Sequence, residues 1–156
     1  MKQLYITAMV NYDQTGFDSK KLLKYIADGM IPMHNLLGIE LVGLEDNFVA
    51  FRIPFKENLI GDILNKRIHG GVISAAMDAV GGAVAMLNFK SYEDQLSTIN
   101  ITVNYLRPAF QKNLIIEGRN IKNGSRVIFT EMKAYHEEEE DDLLATASAA
   151  YSFKKK

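Results

Sequence analysis

The sequence contains no cysteine and only three histidines, His34, His69 and His136. The absence of cysteine excludes a thiol nucleophile, a disulfide framework and a cysteine zinc site together. The histidines are too scattered along the chain to suggest a metal-binding cluster. We therefore expect neither a metal nor a redox cofactor.

The chain also lacks a large excess of charge of either sign. Its 18 basic and 19 acidic residues give a net charge of -1, so bulk electrostatics does not suggest a nucleic-acid partner. Any anionic ligand must be bound by a local group of cations. Residues 1–18 carry one lysine and a short mixed apolar stretch, which is poor material for a signal peptide. A cytoplasmic location is the expectation.

One apolar run, residues 70–87, is long enough to raise the question of a membrane span. The run contains four glycines, and Asp78 lies near its middle, where a carboxylate would be costly in lipid. We therefore expect no membrane partner. The run predicts instead a helix that is apolar on all sides and wrapped by protein.

At 156 residues the chain is near the commonest length of a single domain. Apolar residues at helical spacing predict an amphipathic helix over residues 18–30 and the long helix over 70–87. A polar, irregular loop is expected over 56–68. Alternating apolar residues predict strands over residues 39–44, 48–55, 98–106, 113–121, 126–136 and 143–153.

An antiparallel sheet of about six strands can bury an all-apolar helix only by curling around it. This predicts an α+β fold with helices against one face of the sheet. Within the strand over 98–106, strict alternation places Thr98 on the polar face with Asn100, opposite Ile101.

Asp78 has two interpretations. It could be a structural carboxylate that accepts hydrogen bonds from neighbouring donors. Alternatively, a lone carboxyl group buried in an apolar helix has a raised pKa, which suits a group that gains or passes a proton near neutral pH. The sequence favours the second interpretation.

Gly70 and Gly71 open the same helix. They could simply allow a tight entry to it. They could also let a substrate approach the first turn, where unpaired N–H groups and the helix dipole would stabilise a carbonyl oxygen that becomes negative. His69 could donate to that oxygen or pack at the cap, and the sequence does not separate the two roles.

The distance along the helix separates Gly70 from Asp78. Eight residues at about 1.5 Å each place them roughly 12 Å apart, whereas two groups acting on one carbonyl must each reach within roughly 3 Å of it. If both are catalytic, one of them must come from another copy of the chain. The sequence therefore predicts a homo-oligomer, at least a dimer, with composite sites.

The segment HGGVISAAMD (69–78), the glycine pair that follows it and the segment STINITVNYLRPA (97–109) resemble the hotdog-fold acyl-coenzyme A thioesterases of the PaaI-like branch. The resemblance extends from about Leu36 to Phe153. It implies one hotdog domain over residues 1–156, with a core over 36–154 and an amino-terminal helical extension over 1–35. It also implies hydrolysis of an acyl-coenzyme A thioester.

By the same resemblance, Asp78 would activate water or attack the thioester, and Gly70 would polarise the carbonyl from the facing subunit. Thr98 matches a hydroxyl position near the attacking water, although a hydroxyl there could instead satisfy the sheet surface.

The sequence departs from the family at Ile63, where relatives often carry an asparagine six residues before the histidine. Asn65 and Asn58 are the nearest asparagines, and either could take over the orientation of the water.

Coenzyme A carries phosphates, which require a local basic site. In similar proteins the hairpin that corresponds to residues 121–127 lies near the nucleotide end of the ligand. This makes four residues candidates for binding it: Lys122, Gly124, Ser125 and Arg126. Gly124 fits an ordinary turn equally well.

A protein of the same fold that binds acyl-coenzyme A without turnover is the competing interpretation. The sequence favours the enzyme, because a pure binding protein has no need for an acid at Asp78. A hotdog dehydratase is a weaker third interpretation, since no histidine and acid are placed as that chemistry needs.

Overall fold

The computed structural model describes residues 16–155, so residues 1–15 of the predicted extension lie outside the described residues. Asp18 directly precedes helix α1 (Ser19–Tyr25), and its carboxylate caps the first turn. The predicted helix over 18–30 is regular only to Tyr25, because a wider turn follows in which Gly29 has a φ of 104°. Pro32 then begins an unpredicted helix, α2 (Pro32–Leu37), since proline suits a first helical turn.

Eight strands follow in chain order with the long helix between the fourth and the fifth. They are β1 (Glu40–Glu45), β2 (Phe48–Ile53), β3 (Ile60–Asp62), β4 (Arg67–Ile68), β5 (Gln95–Tyr105), β6 (Leu114–Asn123), β7 (Val127–His136) and β8 (Ala145–Lys154), and the helix is α3 (Gly70–Met86).

Six of the strands form one antiparallel sheet in the order β1-β2-β6-β7-β8-β5. The predicted α+β hotdog fold, with about six strands around a long helix, is confirmed. The loop predicted over 56–68 is less irregular than expected, because β3 and β4 pair within it as a small separate sheet.

Helix α3 lies against one face of the large sheet. Its sheet side is buried, and the close approach is visible at Gly118 of β6, where a Cβ would lie 2.7 Å from Val80 Cγ1. The opposite side is only partly covered by residues 16–155: its members are half-buried, namely Val72, Ala75, Asp78, Ala79, Gly82 and Met86. Within the described chain, the sheet therefore covers one side of the helix and leaves the other side partly open. None of the helices described has both the length and the hydropathy to cross a membrane.

Strand β5 is an edge strand that pairs only with β8 in the described chain. A bulge interrupts the pairing at Ile99: Thr98 pairs with Tyr151, and Asn100 pairs with the residue directly before Tyr151. The extra residue reverses the alternation, so Thr98 shares the α3 side with Ile101. The expectation that Thr98 lies on the polar face is wrong for this reason.

Candidate active site

The Asp78 carboxylate receives two hydroxyl donors from the sheet. Thr98 Oγ1 donates to Asp78 Oδ1 at 3.0 Å, and Tyr151 Oη lies 3.2 Å from the same oxygen and 3.1 Å from the Asp78 carbonyl oxygen. Within residues 16–155, no hydrogen bond to Oδ2 is found. Asp78 is half-buried in the described chain, and its burial in an active assembly stays a prediction. One of its oxygens is satisfied by the protein and the other is available to a ligand or to water.

No pattern in the sequence singles out Tyr151. It lies on β8 with an exposed fraction of 1%, and its hydroxyl reaches α3 because Gly81 has no side chain there: a Cβ on Gly81 would collide with Tyr151 Oη. Burial, and secondarily the charge of Asp78, raises the pKa of the Tyr151 hydroxyl far above its usual range. The hydroxyl therefore stays protonated and serves as a donor.

His69 caps the amino end of α3. Its Nδ1 accepts from Gly71 N at 2.9 Å, so a neutral ring carries its proton on Nε2. The Gly71 amide is thereby engaged, whereas the Gly70 N–H donates to no acceptor among residues 16–155. Of the two glycines, Gly70 remains as the candidate donor to a carbonyl oxygen.

A cleft of about 530 Å³ opens beside Gly70. Tyr105, a second residue missed in the sequence, donates through Oη to the Gly70 carbonyl at 2.9 Å, and its ring lies 3.4 Å from the position of a Gly70 Cβ. The walls are mostly apolar with two guanidinium groups, and the residues that line them are Arg67, Ile68, Gly70, Ile73, Tyr105, Leu106, Arg107, Pro108 and Ala109. Arg107 forms an ion pair with Asp142.

The two halves of the predicted site lie at opposite ends of β5. Gly70 is at the Tyr105 end, and Asp78 is at the Thr98 end. The described residues that line the cleft do not include Asp78. One chain therefore holds the candidate carboxylate and the candidate amide apart, as the distance along the helix predicts.

Asn65 lies in the exposed turn between β3 and β4. Its side-chain Nδ2 donates to Asp62 Oδ2 at 2.8 Å and its backbone N to Asp62 Oδ1 at 3.1 Å. Ile63, in the same turn, is 76% exposed. The structure thus gives Asn65 a role in the turn and does not bring it to Asp78 within the described chain.

The β6–β7 hairpin holds the four residues predicted to bind the nucleotide. Gly124 N donates to Val127 O at 3.0 Å, which is turn chemistry, and Lys122, Ser125 and Arg126 are exposed. Val127 pairs with the residue that follows Tyr151. The tip of the hairpin therefore lies at the end of the sheet where Tyr151 contacts Asp78.

The chain is similar to one protein family and to several individual proteins. The profile of the thioesterase superfamily matches residues 65–142. SSO2140 of Saccharolobus solfataricus, whose name places it provisionally among the esterases, is 30% identical over 118 residues, or 74% of this chain and 80% of that protein. The Escherichia coli protein named medium/long-chain acyl-CoA thioesterase YigI is 24% identical over 148 residues, or 85% of this chain and 94% of that one.

Solved structures show the same fold. A thioesterase family protein from Silicibacter pomeroyi superposes with a TM-score of 0.77 at 20% identity, covering 86% of this chain and 97% of that one.

Proposed function

Because the chain belongs to the thioesterase superfamily and is a thioester hydrolase, we propose that it cleaves acyl-coenzyme A thioesters by water that Asp78 activates. The observation that carries this proposal is the Asp78 carboxylate, which is half-buried, held at Oδ1 by two hydroxyls and left with Oδ2 free of protein donors in the described chain. The name of YigI, an acyl-CoA thioesterase, supports the substrate class. Assignment to the PaaI-like branch stays a prediction.

The active form in this proposal is a dimer that pairs through β5. An unpaired edge strand is a ready template for pairing with another chain, and β5 carries Ile99 and Tyr105, both more than half exposed. A two-fold axis near the middle of an antiparallel β5–β5 contact would place the Thr98 end of one chain opposite the Tyr105 end of the other. Asp78 would then face Gly70 of the partner subunit.

The chemistry in such a composite site balances without a cofactor. Asp78 Oδ2 takes a proton from water as the water oxygen bonds to the thioester carbon. The carbonyl oxygen becomes negative and is stabilised by the Gly70 N–H of the partner subunit. The tetrahedral intermediate collapses, the carbon–sulfur bond breaks, and the sulfur leaves as a thiolate that takes the proton from Asp78 Oδ2, which restores the Asp78 carboxylate. The products are the free acid and coenzyme A.

The β6–β7 hairpin would bind the phosphates of coenzyme A. Lys122 and Arg126 are exposed cations near its tip, at the end of the sheet where Tyr151 contacts Asp78. Phosphate contacts contribute binding energy to substrate and transition state alike. The double variant Lys122→Ala/Arg126→Ala should therefore raise KM and leave kcat close to that of the wild type.

The role of Asp78 is tested by the release of free thiol from a panel of acyl-coenzyme A esters. Asp78→Asn and Asp78→Ala should each lose about 100-fold or more in kcat, the contribution of a general base. Asp46→Asn is the matched control, because Asp46 is an exposed carboxylate paired with Lys20. Wild-type turnover in both Asp78 variants, or tight binding of every ester with no thiol release by the wild type, would refute the proposal.

The composite site is tested by mixing two variants of strongly reduced activity, Asp78→Ala and Gly70→Val. Mixed dimers would restore one intact site of two, and random mixing makes half of the dimers mixed, so about a quarter of wild-type activity should return. If both residues acted within one chain, no activity would return.

A further inference from the structure

We propose that Tyr151 is a positioning residue, which holds the Asp78 carboxylate in one orientation so that Oδ2 faces the reacting water. This inference rests on the proposed function of Asp78. Tyr151 lies on β8, 73 residues from Asp78, and is almost completely buried.

The geometry of the hydroxyl supports this role. Tyr151 Oη lies within hydrogen-bonding distance of two atoms of one residue, the carbonyl oxygen and Oδ1 of Asp78. A donor between these atoms ties the side chain to its own backbone and so restricts rotation of the carboxylate. Thr98 binds the same Oδ1 from an exposed edge strand. Together the two donors hold Oδ1 and leave Oδ2 without a protein donor in the described chain.

Helix α3 leaves space for the Tyr151 hydroxyl at Gly81. A Cβ on Gly81 would collide with Tyr151 Oη and lie 3.0 Å from both Met132 Sδ and Thr130 Oγ1. Gly81 lies three residues after Asp78, on the next turn of the helix, where it borders the same space. The glycine therefore makes room for a polar atom at this point, and an alanine would fill it.

A purely structural role for Tyr151 would require fewer hydrogen bonds than the hydroxyl makes to Asp78. A buried tyrosine needs one acceptor, and the Asp78 carbonyl at 3.1 Å supplies it. The two roles differ in kinetics: a positioning residue contributes to kcat through Asp78, whereas a structural residue contributes to stability whether or not Asp78 is present.

The test is the steady-state kinetics of Tyr151→Phe with the ester that the wild type cleaves best. Loss of a hydrogen bond to a charged group should lower kcat about tenfold with KM unchanged. In an Asp78→Ala background the same substitution should cause no further loss. Tyr135→Phe is the matched control, because Tyr135 is also buried but donates to Glu117, away from Asp78; its kcat should stay at the wild-type value.

Three results separate this inference from the proposed function. Wild-type kcat in Tyr151→Phe, with Asp78→Asn inactive, would overturn the positioning role alone. An equal loss from Tyr151→Phe with and without the carboxylate would also overturn it, since the effect would then be structural. Wild-type turnover in Asp78→Asn would instead overturn the proposed function, and the inference with it.

Discussion

Adjacent glycines in α3 predict opposite effects of the same substitution. Gly→Ala inside a helix contributes about 1 kcal/mol through helix propensity. At Gly82 the new Cβ would lie 3.8 Å from Tyr151 Cε1, an ordinary contact, so Gly82→Ala should stabilise the protein by about 0.5–1 kcal/mol. At Gly81 the Cβ would collide with Tyr151 Oη. Overpacking costs about 1–3 kcal/mol and a displaced hydroxyl about 1 kcal/mol more, so Gly81→Ala should destabilise by about 2 kcal/mol net.

These differences are measurable as melting temperatures at one protein concentration, because self-association makes the transition depend on concentration. At about 2–4 °C per kcal/mol for a chain of this size, Gly81→Ala should melt about 4–8 °C below the wild type. Gly82→Ala should melt slightly above it. In the Tyr151→Phe background, where the colliding oxygen is absent, the cost of Gly81→Ala should shrink. Equal melting temperatures for the two alanine variants would refute the packing argument.

Three further predictions use other parts of the fold. Burial lowers the pKa values of His34 and His136 in the folded protein. Both residues therefore contribute stability above the unfolded pKa of about 6.5, and this stability is lost as the pH falls toward the folded pKa values. Urea unfolding between pH 7 and pH 5 should show a falling free energy of unfolding, and a flat profile would contradict this prediction. His69→Ala removes the acceptor for Gly71 N–H and should lower the free energy of unfolding by about 0.5–2 kcal/mol. Chemical denaturation measures this difference, and an unchanged free energy of unfolding would show that the cap does not stabilise the helix. Gly118→Ala places a Cβ between sheet and helix and should destabilise by about 1–3 kcal/mol, and an unchanged denaturation midpoint would show that the two layers can separate at little cost.

The elements that were correctly predicted depend on local features of the chain. The long helix follows from a run of small and apolar residues, and the β6–β7 hairpin follows from two alternating runs on either side of a short polar segment. The errors arise at two single positions. Pro32, two residues beyond the helix predicted over 18–30, begins another helix, and the bulge at Ile99 moves Thr98 to the other face of β5. A bulge has no reliable local signal, because it is selected by pairing with the neighbouring strand.

The sequence by itself determined that a carboxylate lies near the middle of an apolar helix and that two glycines and a histidine begin that helix, because an unusual residue in a uniform segment is visible without coordinates. Only the tertiary structure decided which atoms surround these groups: Tyr151 approaches Asp78 from β8, and Tyr105 approaches Gly70 from β5. The register of the sheet sets both contacts, and register depends on residues far apart in the chain. For this reason the reactive groups could be located from the sequence, and their hydrogen-bond partners could not.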